Sequence, residues 1–469
     1  MKKRILILSA VVLGAAAGLA ETGSTISNIK LAVGENGRVS VAYDLLSDCV
    51  VTAVFKTNAV PVAGERQWTV EGAVNRKVDA GSGRFFSWNA ASELPGAGLE
   101  NVSVELKAWA VSDTPDYLIV DLLEKSPCRL RFYSAAEFIP GGIVSNYVYR
   151  MYKLPLRRIH AKGVEWTMGT TNEKGRQSSG EKAHPVTLDS DYYIGVFEVT
   201  HAQAKMVGCS MTGTYQDTGN ERWRFTPQNN STWLGIRGAV PPDPAASSSQ
   251  IGKFSTRIGF AVDLPTEAEW EFAARGGYGE GTWGDGSAIV AQKSEDKNLS
   301  RLSTYTYNID AMADCGIHMP NGYGLYDMHG NIREFCLDWY KTDYEVLNGA
   351  LCVEGDYAEN DNGVPVTNRV VRGGYYNQDA MYCRASYRAY VGQGSYKTDC
   401  GYRLTTKAEL GDKVMPQTFE SENAVNVDSL CTAGFSGSVE FERRTFNEVL
   451  SSAFSIDTLT PAGLVVIIR

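Results

Sequence analysis

The sequence contains few of the residue patterns that form zinc sites or nucleic-acid-binding sites. Only five of its 469 residues are histidine, no two cysteines form a CxxC pair, and the histidines lack metal-ligand spacing. Structural zinc is normally held by closely spaced Cys and His side chains, so a zinc site is not expected. Lys and Arg form no basic cluster, so we do not expect nucleic acid as a partner.

Long hydrophobic runs are also missing after the first twenty residues. Lys2, Lys3 and Arg4 precede an apolar stretch at 5–17, and small residues follow at 18–20. This order is typical of a signal peptide, and the stretch is too short for a comfortable membrane span. The sequence therefore predicts a signal peptide at 1–20, export to the periplasm or the extracellular space, and no membrane span. Removal of those three cations takes the net charge from −9 to −12, because the segment contains no acid.

Export permits disulfides, but the number of cysteines is odd. At least one thiol therefore stays free or pairs between chains. The cysteines are residues 49, 128, 209, 315, 336, 352, 383, 400 and 431.

Residues 26–112 are typical of a β-sandwich. Gly, Asn and Ser turns separate strand-like runs at 39–43, 50–55 and 102–109. We expect an immunoglobulin-like or fibronectin-like domain with Trp68 and Trp88 in its core, acting as a spacer or adhesion module.

The rest of the chain divides by composition. Residues 113–160 are predicted as a connector that includes a strand at 117–120. Residues 161–406 are rich in Gly and Trp, with few long periodic helices, and 410–469 form a β-rich C-terminal extension. Two apolar runs of that extension, at 435–441 and 464–468, are predicted strands.

One segment, Leu264–Gly277, carries the signals of a capped helix. Thr266 and Glu269 have the spacing of a capping box, and two glycines end the segment. The pattern predicts that Trp270, Ala273 and Ala274 share a buried face.

Five ordered segments resemble the formylglycine-generating enzyme (sulfatase-modifying factor) family. Two of them, LPTEAEWEFAARGG at 264–277 and GYGLYDMHGN at 322–331, are highly specific. The others are WTMG at 166–169, YIGVFEVT at 193–200, and RGGYY at 372–376 with its continuation through 388 and 401–404. The resemblance covers about half of the chain. It implies an irregular α+β fold related to C-type lectins, preceded here by the β-sandwich.

The resemblance also implies calcium. In the family the ion is held at the segment that matches 327–334. Asp327 and Glu334 would give side-chain oxygens, and Gly330 and Ile332 would give main-chain carbonyls. Calcium takes six to eight oxygen ligands, which suits such a segment. The alternative is that Asp327 caps a turn and Glu334 is a surface acid.

The family's catalytic members oxidise a cysteine of a sulfatase to formylglycine with Cu(I) held by two cysteines. These lie four and nine residues after the Gly-Gly pair, and a serine directly follows it. Here the ninth position is Cys383, but the fourth is Gln378 and the serine position is Tyr375. A glutamine amide cannot replace a thiolate toward Cu(I), so we do not expect copper.

Cys383 has three interpretations. It is a buried small side chain, half of a disulfide with Cys400, or a catalytic residue whose partner is supplied from elsewhere. Cys315, Cys336 or Cys352 are the candidates for that partner.

Two functions are consistent with these residues. A binding module would present a Tyr-rich cleft, including Tyr375, Tyr376, Gln378, Tyr382 and Arg388, to a protein, peptide or glycan. A formylglycine-generating oxidase is the alternative. Half of the tyrosines in this segment could instead fill the core.

Overall fold

The structure is a computed structural model that describes residues 7–8, 11–12, 25–34, 36–96, 99–123, 129–176, 180–210, 224–309, 311–341, 368–408 and 410. Strands dominate it. They are β1 (Ile7–Leu8), β2 (Val11–Val12), β3 (Ile26–Val33), β4 (Arg38–Leu45), β5 (Cys49–Thr57), β6 (Val60–Pro61), β7 (Glu71–Gly72), β8 (Arg76–Val78), β9 (Gly81–Asn89), β10 (Val102–Trp109), β11 (Tyr117–Asp121), β12 (Arg129–Tyr133), β13 (Lys153–Ile159), β14 (Glu165–Met168), β15 (His184–Thr187), β16 (Tyr192–Gly195), β17 (Arg333–Trp339), β18 (Asn368–Arg372), β19 (Ala389–Gly392), β20 (Cys400–Gly401) and β21 (Thr405–Lys407).

The helices are short. They are α1 (Ala90–Glu93), α2 (Val148–Met151), α3 (His201–Met206), α4 (Trp233–Arg237), α5 (Gln250–Ile258), α6 (Glu267–Arg275) and α7 (Leu299–Leu302). This strand-rich, helix-poor content confirms the predicted α+β class. None of these helices is long and apolar enough to cross a lipid bilayer.

The N-terminal region forms two sheets around one apolar core. One sheet has the order β1-β3-β4-β9-β7, and the other has the order β2-β10-β5-β6 with β8 beside β5. Val39, Val41 and Tyr43 alternate inward along β4, as the period of two requires. The predicted strands at 39–43, 50–55 and 102–109 are confirmed within β4, β5 and β10. Assignment to an immunoglobulin-like or fibronectin-like class stays a prediction.

The two tryptophans of this region differ in burial. Trp88 is fully buried, and its ring lies 4.6 Å from that of Phe55. Trp68 is 44% exposed, so its predicted place in the core is wrong. It follows β6 in a turn, where its ring packs against Gly141.

A five-stranded sheet of order β12-β11-β13-β16-β21 lies at the centre of the remaining chain. The segment predicted as a connector supplies three of these strands. β21 pairs with β16 at the edge, so residues near 193 and 406 are hydrogen-bonded neighbours. A second sheet has the order β19-β18-β17-β20. Its strands β18 and β19 lie on either side of the loop 373–388, which contains Cys383.

Helix α6 packs against this second sheet and is capped as predicted. The Thr266 side chain accepts from the amide of Glu269, and the Glu269 carboxylate accepts from the amide of Thr266. Gly276 ends the helix with φ 61°. Trp270, Ala273 and Ala274 are fully buried.

Several predictions lie outside the described residues. They include the strands at 435–441 and 464–468, most of the signal peptide, and Cys128, Cys352 and Cys431.

Candidate functional site

The Gly373–Gly374 pair follows β18, with Gly373 against the Trp270 ring and Gly374 against Cys383. Gly374 has φ 71°, and a Cβ at this position would lie 2.8 Å from Cys383 Sγ. Only glycine combines this backbone conformation with such a close approach. The two glycines therefore bring the loop from β18 against the cysteine.

Cys383 is fully buried. Its Sγ lies 3.8 Å from the carbonyl oxygen of Asp379. Burial raises the pKa of its thiol well above the usual range, so the thiol stays protonated at neutral pH. The apolar cluster around it consists of Trp283, Ile289, Leu299, Leu302, Tyr305 and Ala380.

The main chain of Cys383 is held by His329. The Nε2 atom of His329 accepts from the amide of Gly284 at 3.0 Å, and its Nδ1 lies 3.0 Å from the carbonyl oxygen of Cys383. Nδ1 therefore carries the proton and donates it to that carbonyl. Burial lowers the pKa of His329, which keeps the ring neutral. The sequence placed His329 within a family motif but gave no role for it.

The structure contradicts one of the three interpretations of Cys383, the disulfide with Cys400. Both are free, buried thiols, and the Cys400 Sγ contacts Asp399 Oδ1 at 3.5 Å. Two alternative partners for Cys383 have other neighbours. Cys315 contacts the Glu198 carboxylate, and Cys336 belongs to the apolar cluster that contains Trp270.

Gln378 occupies the position of the missing copper cysteine. Its main-chain amide donates to the main-chain carbonyl of Tyr375. Its main-chain carbonyl accepts from the main-chain amide of Thr306. Its side-chain Oε1 is buried and, within the described part of the chain, has no hydrogen-bond partner. A buried amide oxygen of this kind can accept from a ligand that enters the site.

Three of the predicted cleft tyrosines are half-buried. Tyr375 and Tyr376 make an edge-to-face pair with ring centroids 5.5 Å apart, and Tyr382 makes another with Tyr387 at 5.2 Å. Each of these rings therefore presents part of its surface to solvent.

Arg388, also expected in the cleft, is buried instead. Its Nε and Nη2 bond the two carboxylate oxygens of Glu267 at 2.6 and 2.8 Å. It anchors the strand after the site to helix α6 and presents no charge to a ligand.

A second buried ion cluster follows Cys383 directly. Arg384 is fully buried and bonds both Glu173 and Glu181, with Nη1 2.9 and 2.8 Å from their oxygens. Ser386 bonds Glu173 as well. This cluster ties the cysteine segment to the loop after β14, although the two are about 200 positions apart along the chain.

The predicted calcium segment, 327–334, is a tight turn entering β17. Asp327, Gly330 and Asn331 have φ values of 60°, 155° and 65°. A Cβ on Gly330 would lie 2.2 Å from the carbonyl oxygen of Thr304, which explains the glycine. The amide of Ile332 donates to the carbonyl of Gly330 at 2.9 Å.

The two acids of this segment have different surroundings. Glu334 bonds Arg403 through Oε1 and the Trp270 indole through Oε2, each at 2.8 Å. Asp327 accepts from the amide of Gly316 through Oδ2 at 2.6 Å. Its Oδ1 is buried and has no hydrogen-bond partner among the described residues.

A third acid, Glu198, was missed by the sequence analysis. It is fully buried, and burial together with the charge of Asp327 raises its pKa well above the usual range. Burial likewise raises the pKa of Asp327 to about 6. The signal was present in the sequence, because Glu198 interrupts the apolar run Val196–Val199.

Residues 157–408 match the family of the sulfatase-modifying factor enzyme 1-like domain, also called FGE-sulfatase. The match takes in the Cys383 loop, the 327–334 turn and helix α6. The chain belongs to this family.

The chain is also similar to two curated proteins. The chain is 29% identical over 273 residues to the serine/threonine-protein kinase Pkn1 of Chlamydia pneumoniae, covering 56% of this chain and 40% of that protein. It is 32% identical over 216 residues to the formylglycine-generating enzyme of Streptomyces coelicolor, covering 38% and 62%. The chain thus spans less than two thirds of either relative.

Among solved structures, the chain is similar to Treponema denticola variable protein 1. The sequence identity is 22% and the TM-score 0.41, and the similarity covers 55% of this chain and 96% of that one.

The residues present do not fit the family's copper site. Two thiolates are needed to hold Cu(I). One position here is Gln378, and the other is a buried thiol whose pKa is raised.

The fit to calcium is partial. Asp327 has one unbonded carboxylate oxygen, whereas both oxygens of Glu334 are already bonded. The described residues contain no group of three or more His, Cys, Asp or Glu side chains placed to hold a metal ion. Main-chain or amide oxygens would therefore complete the shell of any cation here.

Proposed function

We propose that this formylglycine-generating-enzyme-like domain acts as a binding module. The observation that carries the proposal is the pair of residues at the copper positions, Gln378 and Cys383. A neutral amide and a buried, protonated thiol cannot provide the two thiolates that Cu(I) requires.

The segment that carries these two positions, 375–396, is suited to contact with another molecule. Tyr375, Tyr376 and Tyr382 are half-buried, and Tyr390 and Tyr396 are 54% and 66% exposed. Tyrosine side chains give large contact areas at low entropic cost and bond through their hydroxyls. The ligand class that fits is a protein, peptide or glycan.

The decisive experiment uses the full chain loaded with copper and a peptide carrying the sulfatase cysteine motif. We expect mass spectrometry to show no conversion of the cysteine to formylglycine. Gln378→Cys is the matched gain-of-site variant, and Gln378→Ser controls for the change in size. We expect tighter Cu(I) binding by Gln378→Cys than by Gln378→Ser. Catalytic conversion by the unmodified protein would overturn the proposal.

A formylglycine-generating oxidase is the second candidate. Cys383 occupies one of the two catalytic positions, and its main chain is fixed by His329. The relative from Streptomyces is named as such an enzyme. This candidate requires a second thiol close to Cys383, and cross-linking of cysteine pairs followed by peptide mapping would identify it.

We also propose export with cleavage after residue 20, supported by the basic and apolar segments of the N-terminus. N-terminal sequencing of the mature protein should begin at Glu21. An N-terminus at Met1 in the exported protein would contradict this. We assign the N-terminal sheets to an immunoglobulin-like or fibronectin-like spacer or adhesion module.

Calcium is proposed as a structural ion at the 327–334 turn, with Asp327 as a side-chain ligand and Gly330, Ile332 and Glu334 as the other family positions. The unbonded Asp327 Oδ1 supports this. Chelation should lower the melting temperature, and Asp327→Ala should abolish that response. A melting temperature that does not change when chelator is added would refute the calcium proposal.

A further inference from the structure

Two buried carboxylates hold consecutive residues of one loop. Glu198 Oε2 is contacted by the Cys315 Sγ at 3.3 Å, and Asp327 Oδ2 accepts from the amide of Gly316 at 2.6 Å. Glu198 Oε2 also accepts from the Asn331 side chain at 2.8 Å. One oxygen of each carboxylate is therefore fixed by protein hydrogen bonds.

The other oxygen of each carboxylate is unused. Glu198 Oε1 and Asp327 Oδ1 are both buried and, within the described residues, accept no hydrogen bond. Glu198 is 0% and Asp327 2% exposed. An unsatisfied buried acceptor has lost its hydrogen bonds to water without replacing them, and this is more unfavourable when the group is charged. Two of them in one place need a common explanation.

The nearby arginine side chains do not explain the two unbonded oxygens. Arg403 bonds Glu334 and the carbonyls of Gly195 and Tyr326. Arg150 donates through Nη1 and Nη2 to the carbonyls of Cys315 and Val144. Neither guanidinium donates to a free oxygen of Glu198 or Asp327.

The arrangement has the form of a pair of metal-ligating carboxylates. In such pairs one oxygen faces the ion and the other is oriented by hydrogen bonds from the protein. We propose that Glu198 joins Asp327 in binding a divalent, oxygen-preferring cation, as a carboxylate ligand in addition to the positions of the 327–334 turn. The inference rests on the proposed calcium ion and names a ligand outside the 327–334 turn.

The chemistry favours calcium over softer ions. The free donors, Glu198 Oε1 and Asp327 Oδ1, are hard carboxylate oxygens, which suit calcium. The sulfur of Cys315 faces the bonded Glu198 oxygen, so it is not a donor to the ion.

Isothermal titration of the chelator-treated full chain with CaCl2 tests the proposal. Glu198→Gln and Asp327→Asn keep side-chain size and should each weaken binding about tenfold or more, since even the loss of an outer-shell partner costs that much. Asp44→Asn, at an acid of β4 that accepts from Asn28 and Gly83, should bind with unchanged stoichiometry and an affinity within about threefold of the unmodified protein, a change of less than 1 kcal/mol.

A spectroscopic measurement covers variants that fold poorly. Tyr326 precedes Asp327, so terbium in the site should show tyrosine-sensitised emission that CaCl2 displaces. Circular dichroism identifies any variant that fails to fold.

Three outcomes would count against the inference. If Asp327→Asn abolishes binding and Glu198→Gln does not, calcium stands but Glu198 is not its ligand. If the unmodified protein binds neither calcium nor terbium, the calcium proposal fails with it. If Glu198→Gln raises the melting temperature without any cation effect, the two carboxylates share a proton instead.

Discussion

The imidazole of His329 joins Cys383 to Gly284 through its two nitrogens, each in a 3.0 Å hydrogen bond. One nitrogen must donate and the other accept, so the ring is neutral and in a single tautomer. The carbonyl it holds belongs to the residue whose thiol lies at the candidate site.

Replacing this ring should destabilise the protein substantially. His329→Phe fills a similar volume but leaves the Gly284 amide and the Cys383 carbonyl without a partner, at a cost of about 2–4 kcal/mol. Urea unfolding at pH 7.5 measures this loss of unfolding free energy. The control is His318→Phe, because His318 is half-buried and, among the residues that the structure describes, bonds only the Thr304 hydroxyl, at 2.9 Å. Equal losses in the two variants would contradict this interpretation.

The same residue predicts a pH dependence. Burial lowers the pKa of His329 in the folded state, so below about 6.5 the unfolded chain binds the proton first. Its contribution to stability is present above that pH and is lost as the pH falls. The slope of unfolding free energy between pH 7 and 5 should be smaller in His329→Phe than in the unmodified protein.

His160 should show the opposite pH dependence. Its Nε2 lies 2.9 Å from Asp116 and its Nδ1 3.4 Å from Asp191, and the hydrogen bond to Asp116 raises its pKa. Its stabilisation is complete below about 6.5 and is lost as the pH rises through the raised folded value. The side chain is 56% exposed, so the effect should be within about 1 kcal/mol.

Thermal melts of the unmodified protein and His160→Gln test this prediction. The difference in melting temperature should be largest near pH 5.5 and should vanish by pH 9. A difference that grows with pH would contradict the assignment.

Arg369 lies between two tryptophan rings. Its guanidinium carbon is 3.6 Å from the centroid of Trp233 and 3.5 Å from that of Trp339. Lysine keeps the charge but not the planar group that stacks on both faces. Arg369 is fully buried. Arg369→Lys should therefore lower the free energy of unfolding, measured in urea, by about 1–3 kcal/mol. Arg301→Lys, at an exposed pair with Asp285, should change stability by less than about 0.5 kcal/mol.

The cap of helix α6 gives a smaller, local prediction. Thr266→Ala removes the oxygen that accepts from the Glu269 amide and should cost about 1 kcal/mol. Thr266→Ser keeps that oxygen and should cost about 0.5 kcal/mol or less. If both variants lose the same stability, the capping bond is not the cause.

Local features were predictable from the sequence. The capping box, the glycine stop and the buried face of α6 depend on residues within one segment, and all three are present in the structure. The alternating strands near 39–43 and 102–109 were predictable for the same reason. Their side-chain pattern repeats within a few residues.

Long-range pairings were not predictable in this way. Residues 113–160 were predicted as a connector because the sheet to which their three strands belong continues only at 192–195 and 405–407. Arg388 looked like a cleft residue because its partner, Glu267, is 121 positions away. The free state of Cys383 and Cys400 depends likewise on how their strands and loops are placed in space.

The pairing of β21 with β16 also sets when the chain can finish folding. The central sheet starts with the strand at 117–121 and is completed at one edge by 405–407. Closing so long a loop is slow, because the chain loses conformational entropy before the stabilising contacts form. A chain emerging from a ribosome therefore cannot complete this sheet until nearly 290 residues after its first strand have followed. Until residues 405–407 have been made, the edge of β16 that they cover stays unpaired.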